Sequence, residues 1–270
     1  MRVTLTKHHG LGNDFLVLFD DQPLPRLPLG VFAQRWCHRR RGIGADGLLV
    51  ALTRPVADAD LGMALFNADG SRAEMSGNGI RCLVQAWAHR NKRAEGEARI
   101  ATDAGLKVVA FAPGPDQRTI VASVGMGTAE PIEAPEGWAE TGIDPMRPCL
   151  HLSLGNPHSV VAVDDVEAVD LEPLGKQVPE VNLEIVAPLE GRHELRMRVH
   201  ERGAGITEAC GTGAVAAAVA ASRWGLAVPD EDAEILVRMD GGDAKVRFAA
   251  DGELVLTGPA TYIATIETDA

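Results

Sequence analysis

Short apolar runs separated by glycine- and proline-marked turns make up most of the chain, and only a few stretches switch to helical spacing. Residues 2–7 alternate apolar with polar, and residues 15–19 are apolar throughout after a turn from Gly10 to Asp14, so both predict strands. Pro23, Pro25 and Pro28 interrupt the chain ahead of a predicted helix over residues 29–37. Strands are expected at 48–52, 61–67 and 71–75, the last two joined by the hairpin signal Ala68-Asp69-Gly70. From Ser76 onward, Ile80, Leu83, Val84, Trp87 and Ala88 recur at intervals of three and four, the period of a helix with one apolar face. Residues 98–102, 106–111 and 119–124 add three more strands.

A stretch rich in Pro, Glu and Gly over residues 127–146 predicts a surface connection. Strands follow at 149–154 and 159–163 around the turn Gly155-Asn156-Pro157, then a short helix at 166–176 and strands at 181–187 and 194–199. A glycine-rich loop from His200 leads into Cys210-Gly211-Thr212-Gly213 and an alanine-rich helix ending near Trp224. Strands at 234–237, 244–248, 253–256 and 261–266 complete the reading. Each half thus supplies many strands and one long helix that is apolar nearly all round, and such a helix has to be enclosed.

The two halves repeat one plan. Aligning Ser76 with Cys210 pairs Asn67 with Glu201, Glu74 with Glu208, Gly77 with Gly211, Asn78 with Thr212 and Gly79 with Gly213. Upstream, Gly12-Asn13-Asp14-Phe15 matches Gly155-Asn156-Pro157-His158, at separations of 63 residues from Asn13 to Ser76 and 54 from Asn156 to Cys210. Two domains are expected, one from residues 1–118 plus 261–270 and the other from 119–260. Both helix starts gather unpaired backbone N–H groups, which favour anions. At Cys210 this predicts a thiol drawn down from roughly 8.5 toward neutrality, beside donors for a substrate carboxylate.

Composition narrows the function classes. With 270 residues and 46% hydrophobic content the chain can bury two ordinary cores. A net charge of −12 argues against a nucleic-acid surface, and the one basic cluster, His38 to Arg41, is expected to be a solvated helix end. With no apolar signal core at the start and no run of membrane-spanning length, a soluble cytoplasmic protein is expected. Four cysteines lack metal or disulfide spacing, so reduced thiols are expected. Gly42-Ile43-Gly44-Ala45-Asp46-Gly47 fits the letters of a dinucleotide-binding loop. Its context is wrong, because a helix precedes it and a strand follows.

If the halves are related by an approximate two-fold axis, their helix starts can face each other and hold one small carboxylate between them, with a side group on each face of its α-carbon. That geometry suits a racemase or epimerase that uses neither metal nor pyridoxal phosphate, since no lysine stands in either glycine-rich loop. A different class, an amino-acid-binding protein without catalysis, fits the same lobes but has no use for a reactive thiol beside Glu201.

Gly12-Asn13-Asp14-Phe15, Phe66-Asn67-Ala68-Asp69-Gly70-Ser71, Gly77-Asn78-Gly79-Ile80-Arg81-Cys82, Gly155-Asn156-Pro157-His158, Asn182, Glu201-Arg202-Gly203-Ala204-Gly205 and Cys210-Gly211-Thr212-Gly213 resemble, in order, the signatures of the diaminopimelate epimerase family. The resemblance implies an α+β fold of two pseudo-symmetric domains, each a mixed, mostly antiparallel, barrel-like sheet around a central helix, paired as a homodimer. It implies interconversion of LL- and meso-diaminopimelate for lysine and cell-wall precursor synthesis, with no cofactor and no metal. Carried over by position, Cys210 is one catalytic thiol with Glu201 as its proton-relay partner, and His158 assists the base on the opposite face. Asn13, Asn67, Asn156, Asn182 and Arg202 fix the substrate, while the N–H groups of Gly77, Asn78, Gly211 and Thr212 hold the reacting carboxylate.

Ser76 departs from the pattern, which has cysteine there. A hydroxyl is a far weaker acid than a thiol. Three accounts follow: serine works as acid or base with assistance from His158, or it is a substitution that traps an inactive enzyme, or the chain acts on another amino acid such as proline, hydroxyproline or histidine, or is limited to one-sided proton exchange.

Overall fold

The computed structural model describes residues 2–54, 58–73 and 75–269. In chain order the elements are β1 (Arg2–Gly10), β2 (Asn13–Phe19), α1 (Leu29–Trp36), β3 (Gly47–Leu52), β4 (Leu61–Asn67), β5 (Arg72–Ala73), α2 (Gly77–Arg90), β6 (Gly96–Thr102), β7 (Gly105–Pro113) and β8 (Thr119–Gly125). They continue with β9 (Glu130–Pro131), β10 (Cys149–Ser153), β11 (Pro157–Ala162), α3 (Leu171–Gln177), β12 (Asn182–Pro188), β13 (Glu194–Glu201), β14 (Gly205–Thr207), α4 (Gly211–Trp224), β15 (Glu234–Met239), β16 (Gly242–Phe248) and β17 (Leu254–Asp269). Short 3₁₀ turns lie at Trp138–Thr141 and Val166–Ala168.

The chain divides into two compact units, unit 1 from Met1–Val124 with Gly258–Ala270 and unit 2 from Gly125–Thr257. These junctions lie a few residues from the sequence-based ones, because β8 pairs along its length with β7 and so stays with unit 1. The same order of pairings builds each unit. In unit 1, β1–β2, β3–β4, β6–β7 and β7–β8 are antiparallel, while β2–β3 and β4–β6 are parallel. In unit 2, β10–β11, β12–β13, β15–β16 and β16–β17 are antiparallel, while β11–β12 and β13–β15 are parallel. The repeat read from the helix starts therefore extends to every ladder.

All seventeen strands among the described residues are linked in one sheet, and within each unit the strands close into a ring. The far part of β17 pairs with β1 from Thr261 to Asp269 and also with β8, completing a ring in unit 1. In unit 2 the near part of β17 exchanges bonds with Met126 and Gly127, and β9 leads that segment on to β10. Closure removes free strand edges. The axial helices fill the rings: every residue of α2 from Gly77 to Ala86 is buried, and in α4 so are Gly211 and all from Gly213 to Ala221.

A second helix covers each ring from outside. In unit 1, Phe32 and Ala33 of α1 join a core with Leu16, Leu18, Leu48 and Val50. In unit 2, Leu171 of α3 joins Leu183, Ile185 and Ala187. Strands β2, β3 and β12 are thus buried on both faces, which is why they read as continuous apolar runs while β1 alternates.

Several expectations are corrected by these elements. The strand anticipated at 71–75 reduces to the pair Arg72–Ala73, and Glu74 lies outside the described residues. The helix expected at 166–176 is a 3₁₀ turn followed by α3, and the connection at 127–146 contains β9 and a 3₁₀ turn. The two final strands are one, β17. It passes through Gly258-Pro259 where it changes ladder partners, between Thr257 on β16 and Thr261 on β1, so the missing proline N–H disrupts no bond of these ladders.

Candidate active site

The axial helices begin alike. Ser76 is the N-cap of α2, with extended φ and ψ of −140° and 126°, and its Oγ accepts from the Gly79 N–H at 3.0 Å. Cys210 is the N-cap of α4, with φ and ψ of −121° and 117°, and its Sγ accepts from the Gly213 N–H at 3.4 Å. Gly77 with Asn78, and Gly211 with Thr212, are the first helical residues, whose N–H groups a helix cannot satisfy from within. A carboxylate is the natural acceptor for such a pair.

In unit 1 the helix start is tied to β1, β2 and the loop before β3. Arg81 donates to Asn78 Oδ1 at 2.6 Å and to the Gly77 carbonyl at 3.0 Å; Asn78 donates to Asn13 Oδ1 at 3.2 Å; Asn13 donates to Asp46 Oδ2 at 2.8 Å. A guanidinium has only donors and an ionised carboxylate only acceptors, so the two ends dictate how both amides point. Arg81 is fully buried, and desolvation pulls it down to about 10. Arg39, exposed like the rest of the His38–Arg41 cluster past the end of α1 as expected, also bridges Asp14 and Asp46 at 2.7 and 2.6 Å, while Lys7 approaches Asp14 to 2.8 Å. Burial acts to raise Asp14, but hydrogen bonds from Arg39 and Lys7 outweigh it and hold the carboxyl below its usual range. Asn67 is exposed at the end of β4 and donates to Ser71 Oγ at 3.0 Å.

In unit 2 the parallel pairing of β11 with β12 sets His158 beside Asn182. Asn182 donates to the Pro157 carbonyl at 3.1 Å and accepts from the Arg202 backbone N–H at 2.9 Å, pinning the exposed Arg202 at the end of β13. Thr207 on β14 donates its hydroxyl to Glu201. Asn156 donates to Thr212 Oγ1 at 3.2 Å, and Thr212 Oγ1 lies 3.5 Å from Cys210 Sγ. His158 is fully buried, with Nδ1 at 2.7 Å from Glu184 Oε1 and Nε2 at 3.1 Å from Asn156 Oδ1. Both ring nitrogens are therefore engaged within unit 2, and the chain of contacts they start leads to Cys210.

The thiol of Cys210 departs from expectation. Only 4% exposed, it is pushed well above the ordinary cysteine value by burial first, then by the charges of Glu201 and Glu184; the Thr212 hydroxyl and the Gly213 N–H act the other way without prevailing. A helix start alone predicts the opposite direction, but desolvation and two nearby carboxylates are larger effects.

Glu184, Asp46 and Arg81 are the partners that sequence reasoning missed. Two residues apart on β12, Asn182 and Glu184 share one face of a strand buried on both sides, and a carboxylate there is the signal that was available. The glycine-rich loop carrying Asp46 stands between α1 and β3, in keeping with its rejection as a dinucleotide site. Among the described residues, no group of three or more His, Cys, Asp or Glu side chains is placed to hold a metal ion, and no helix is long and apolar enough to cross a membrane.

Comparison with known proteins gives concordant findings. A family model described as diaminopimelate epimerase matches residues 5–131 and 151–263. A diaminopimelate epimerase of Synechococcus elongatus is 38% identical, the match covering 97% of each chain. One of Thermosynechococcus vestitus is 39% identical over 97% of this chain and 98% of its own. Among solved structures, a phenazine biosynthesis protein of Bacillus anthracis superposes with a TM-score of 0.76 at 14% identity, covering 100% of both chains, a likeness of fold.

Proposed function

The chain belongs to the diaminopimelate epimerase family, and from that premise we propose that it interconverts LL- and meso-diaminopimelate by removing the α-proton from one face and returning a proton to the other. The observation that carries this reading is the matched pair of helix starts, each with an acid–base side chain at the N-cap followed by glycine-flanked N–H groups.

An α-proton next to an amino-acid carboxylate is very weakly acidic, so the negative charge that grows as it leaves has to be met by donors already in place. The N–H groups of Gly77, Asn78, Gly211 and Thr212 are such donors, strengthened by the helix dipoles. Asn13, Asn67, Asn156, Asn182 and Arg202 fix the distal amino-acid end. Its raised pKa keeps the resting Cys210 a thiol, the form that delivers a proton. In the reverse direction its sulfur must hold negative charge, and the Gly213 N–H and Thr212 hydroxyl are the donors for that state. Glu201 exchanges protons with this thiol, and Ser76 serves the other face, giving its hydroxyl proton to the carbanion when it acts as acid and losing that proton to solvent before it takes the α-proton as base. Because a hydroxyl needs more help than a thiol, the step at Ser76 is the slower one. The reading requires neither metal nor pyridoxal phosphate and makes the enzyme a cytoplasmic homodimer.

Incubating each stereoisomer of diaminopimelate with the enzyme in deuterated water tests it. Expected are interconversion and α-deuterium in both isomers by NMR. Label entering from one isomer alone, or turnover of proline, hydroxyproline or histidine in its place, overturns the assignment. Binding of diaminopimelate without any exchange identifies a binding protein.

A further inference from the structure

Glu184 has no role in the reaction as described so far, yet it occupies an unusual place. It is fully buried on β12 in contact with His158, and burial raises its pKa, a tendency the histidine partly offsets. Gly213, in the first turn of α4, makes room for it: a Cβ at that glycine would stand 2.7 Å from Glu184 Oε1. The carboxylate therefore lies against the same helix start that presents Cys210.

The hydrogen bonds leading away from it have a fixed sense. The amide nitrogen of Asn156 only donates, so the Thr212 oxygen accepts from it, and the hydroxyl proton of Thr212 is left to point at Cys210 Sγ. The amide oxygen of Asn156 only accepts, so Nε2 of His158 carries a proton. Nδ1 on the other side of the ring meets Glu184 Oε1 at 2.7 Å, so the ring is held from both nitrogens. Reversing the Asn156 amide would turn the Thr212 proton toward Asn156 and away from the sulfur.

We propose that Glu184 is a positioning residue: by fixing His158 it holds Asn156 in the one orientation that makes the Thr212 hydroxyl a donor to the sulfur of Cys210. The proposal rests on the epimerase reading, in which that sulfur must carry charge during turnover. Glu201 is the other carboxylate acting on the thiol, and Thr207 donates to it.

The test is the pH dependence of iodoacetamide alkylation at Cys210, read by peptide mass spectrometry so that the exposed Cys149 does not interfere. Glu184→Gln, Thr212→Val and the double variant are compared with wild type. Loss of a donor to a thiolate is expected to raise the alkylation midpoint by about one pH unit in each single variant, with no further rise in the double. In turnover, kcat of Glu184→Gln is expected to fall roughly tenfold with KM within about twofold, the pattern of a contact felt in the transition state. A midpoint that falls, as removal of a bare negative charge would produce, overturns the proposal. So does an unchanged midpoint, or single-variant shifts that add in the double. Asn156→Leu breaks the same chain at its middle link and is read the same way if Glu184→Gln does not fold. Alkylation needs no substrate, so it remains decisive if diaminopimelate is not turned over, whereas wild-type turnover with unshifted variants removes only the role of Glu184.

Discussion

On the proposed reading, a serine and a cysteine at equivalent helix caps make the two half-reactions chemically unequal. Ser76→Cys places a thiol at the N-cap of α2, where the Gly79 N–H is aimed at the side chain. Turnover in both directions is expected to rise at least roughly tenfold, within the range that a well-matched acid–base group supplies. Stereoisomer-resolved chromatography measures it, and an unchanged rate means that the hydroxyl is not limiting. Elsewhere in unit 1, buried His8 shows the same governing effect as Cys210. Burial lowers it from 6.5 to about 3, so its folded ring resists a proton that the unfolded chain accepts. The resulting stability is present above pH 6.5 and lost as pH falls toward 3. His8→Gln is expected to flatten the decline of melting temperature between these values, as followed by calorimetry; an identical slope would show that other groups set it.

At the scale of elements, α2 and α4 differ in how closely their first turns are packed. A Cβ on Gly213 would lie 2.7 Å from Glu184 Oε1 and 3.2 Å from Cys210 Sγ, while one on Gly79 would meet nothing nearer than Ser76 Cβ at 3.1 Å. Gly213→Ala is therefore expected to destabilise by about 1–3 kcal/mol and to reduce kcat, since overpacking exceeds the helix propensity gained. Gly79→Ala is expected to be milder on both counts, and equal losses in thermal melts would contradict this reading. The elements themselves were largely legible: alternation marked β1, three-and-four spacing marked α2, and the paired glycine motifs marked both helix starts. What escaped had a physical cause. Gly258-Pro259 looks like a break, yet it sits where β17 changes ladders, and Gly258 leaves space for the Arg81 guanidinium, whose Nη2 would be 3.2 Å from a Cβ there. The direction of the Cys210 shift was misread because nothing in the local sequence reveals that β12 brings a second carboxylate to α4. The amide chains were equally hidden, since Asn13 and Asn78 meet through folding across 65 positions.

At the scale of the whole molecule, two closed rings share one strand. Residues 254–257 pair with β16 in unit 2, and residues 261–269 pair with β1 in unit 1. Deleting the chain from Gly258 onward leaves β1 and β8 with unpaired edges while the unit 2 ladders keep their partners. Limited proteolysis is expected to digest unit 1 of that truncation and spare unit 2; equal resistance of both would show that unit 1 does not need its closing strand.

The shared strand also bears on how the polypeptide matures on the ribosome. Unit 1 up to Val124 leaves the ribosome before unit 2, but the strand that seals its ring is translated only after all of unit 2. Unit 2, contiguous from Gly125 to Thr257, can close while unit 1 waits open, so the part synthesised earlier finishes folding later, and its open rim is where a nascent-chain chaperone would find something to hold.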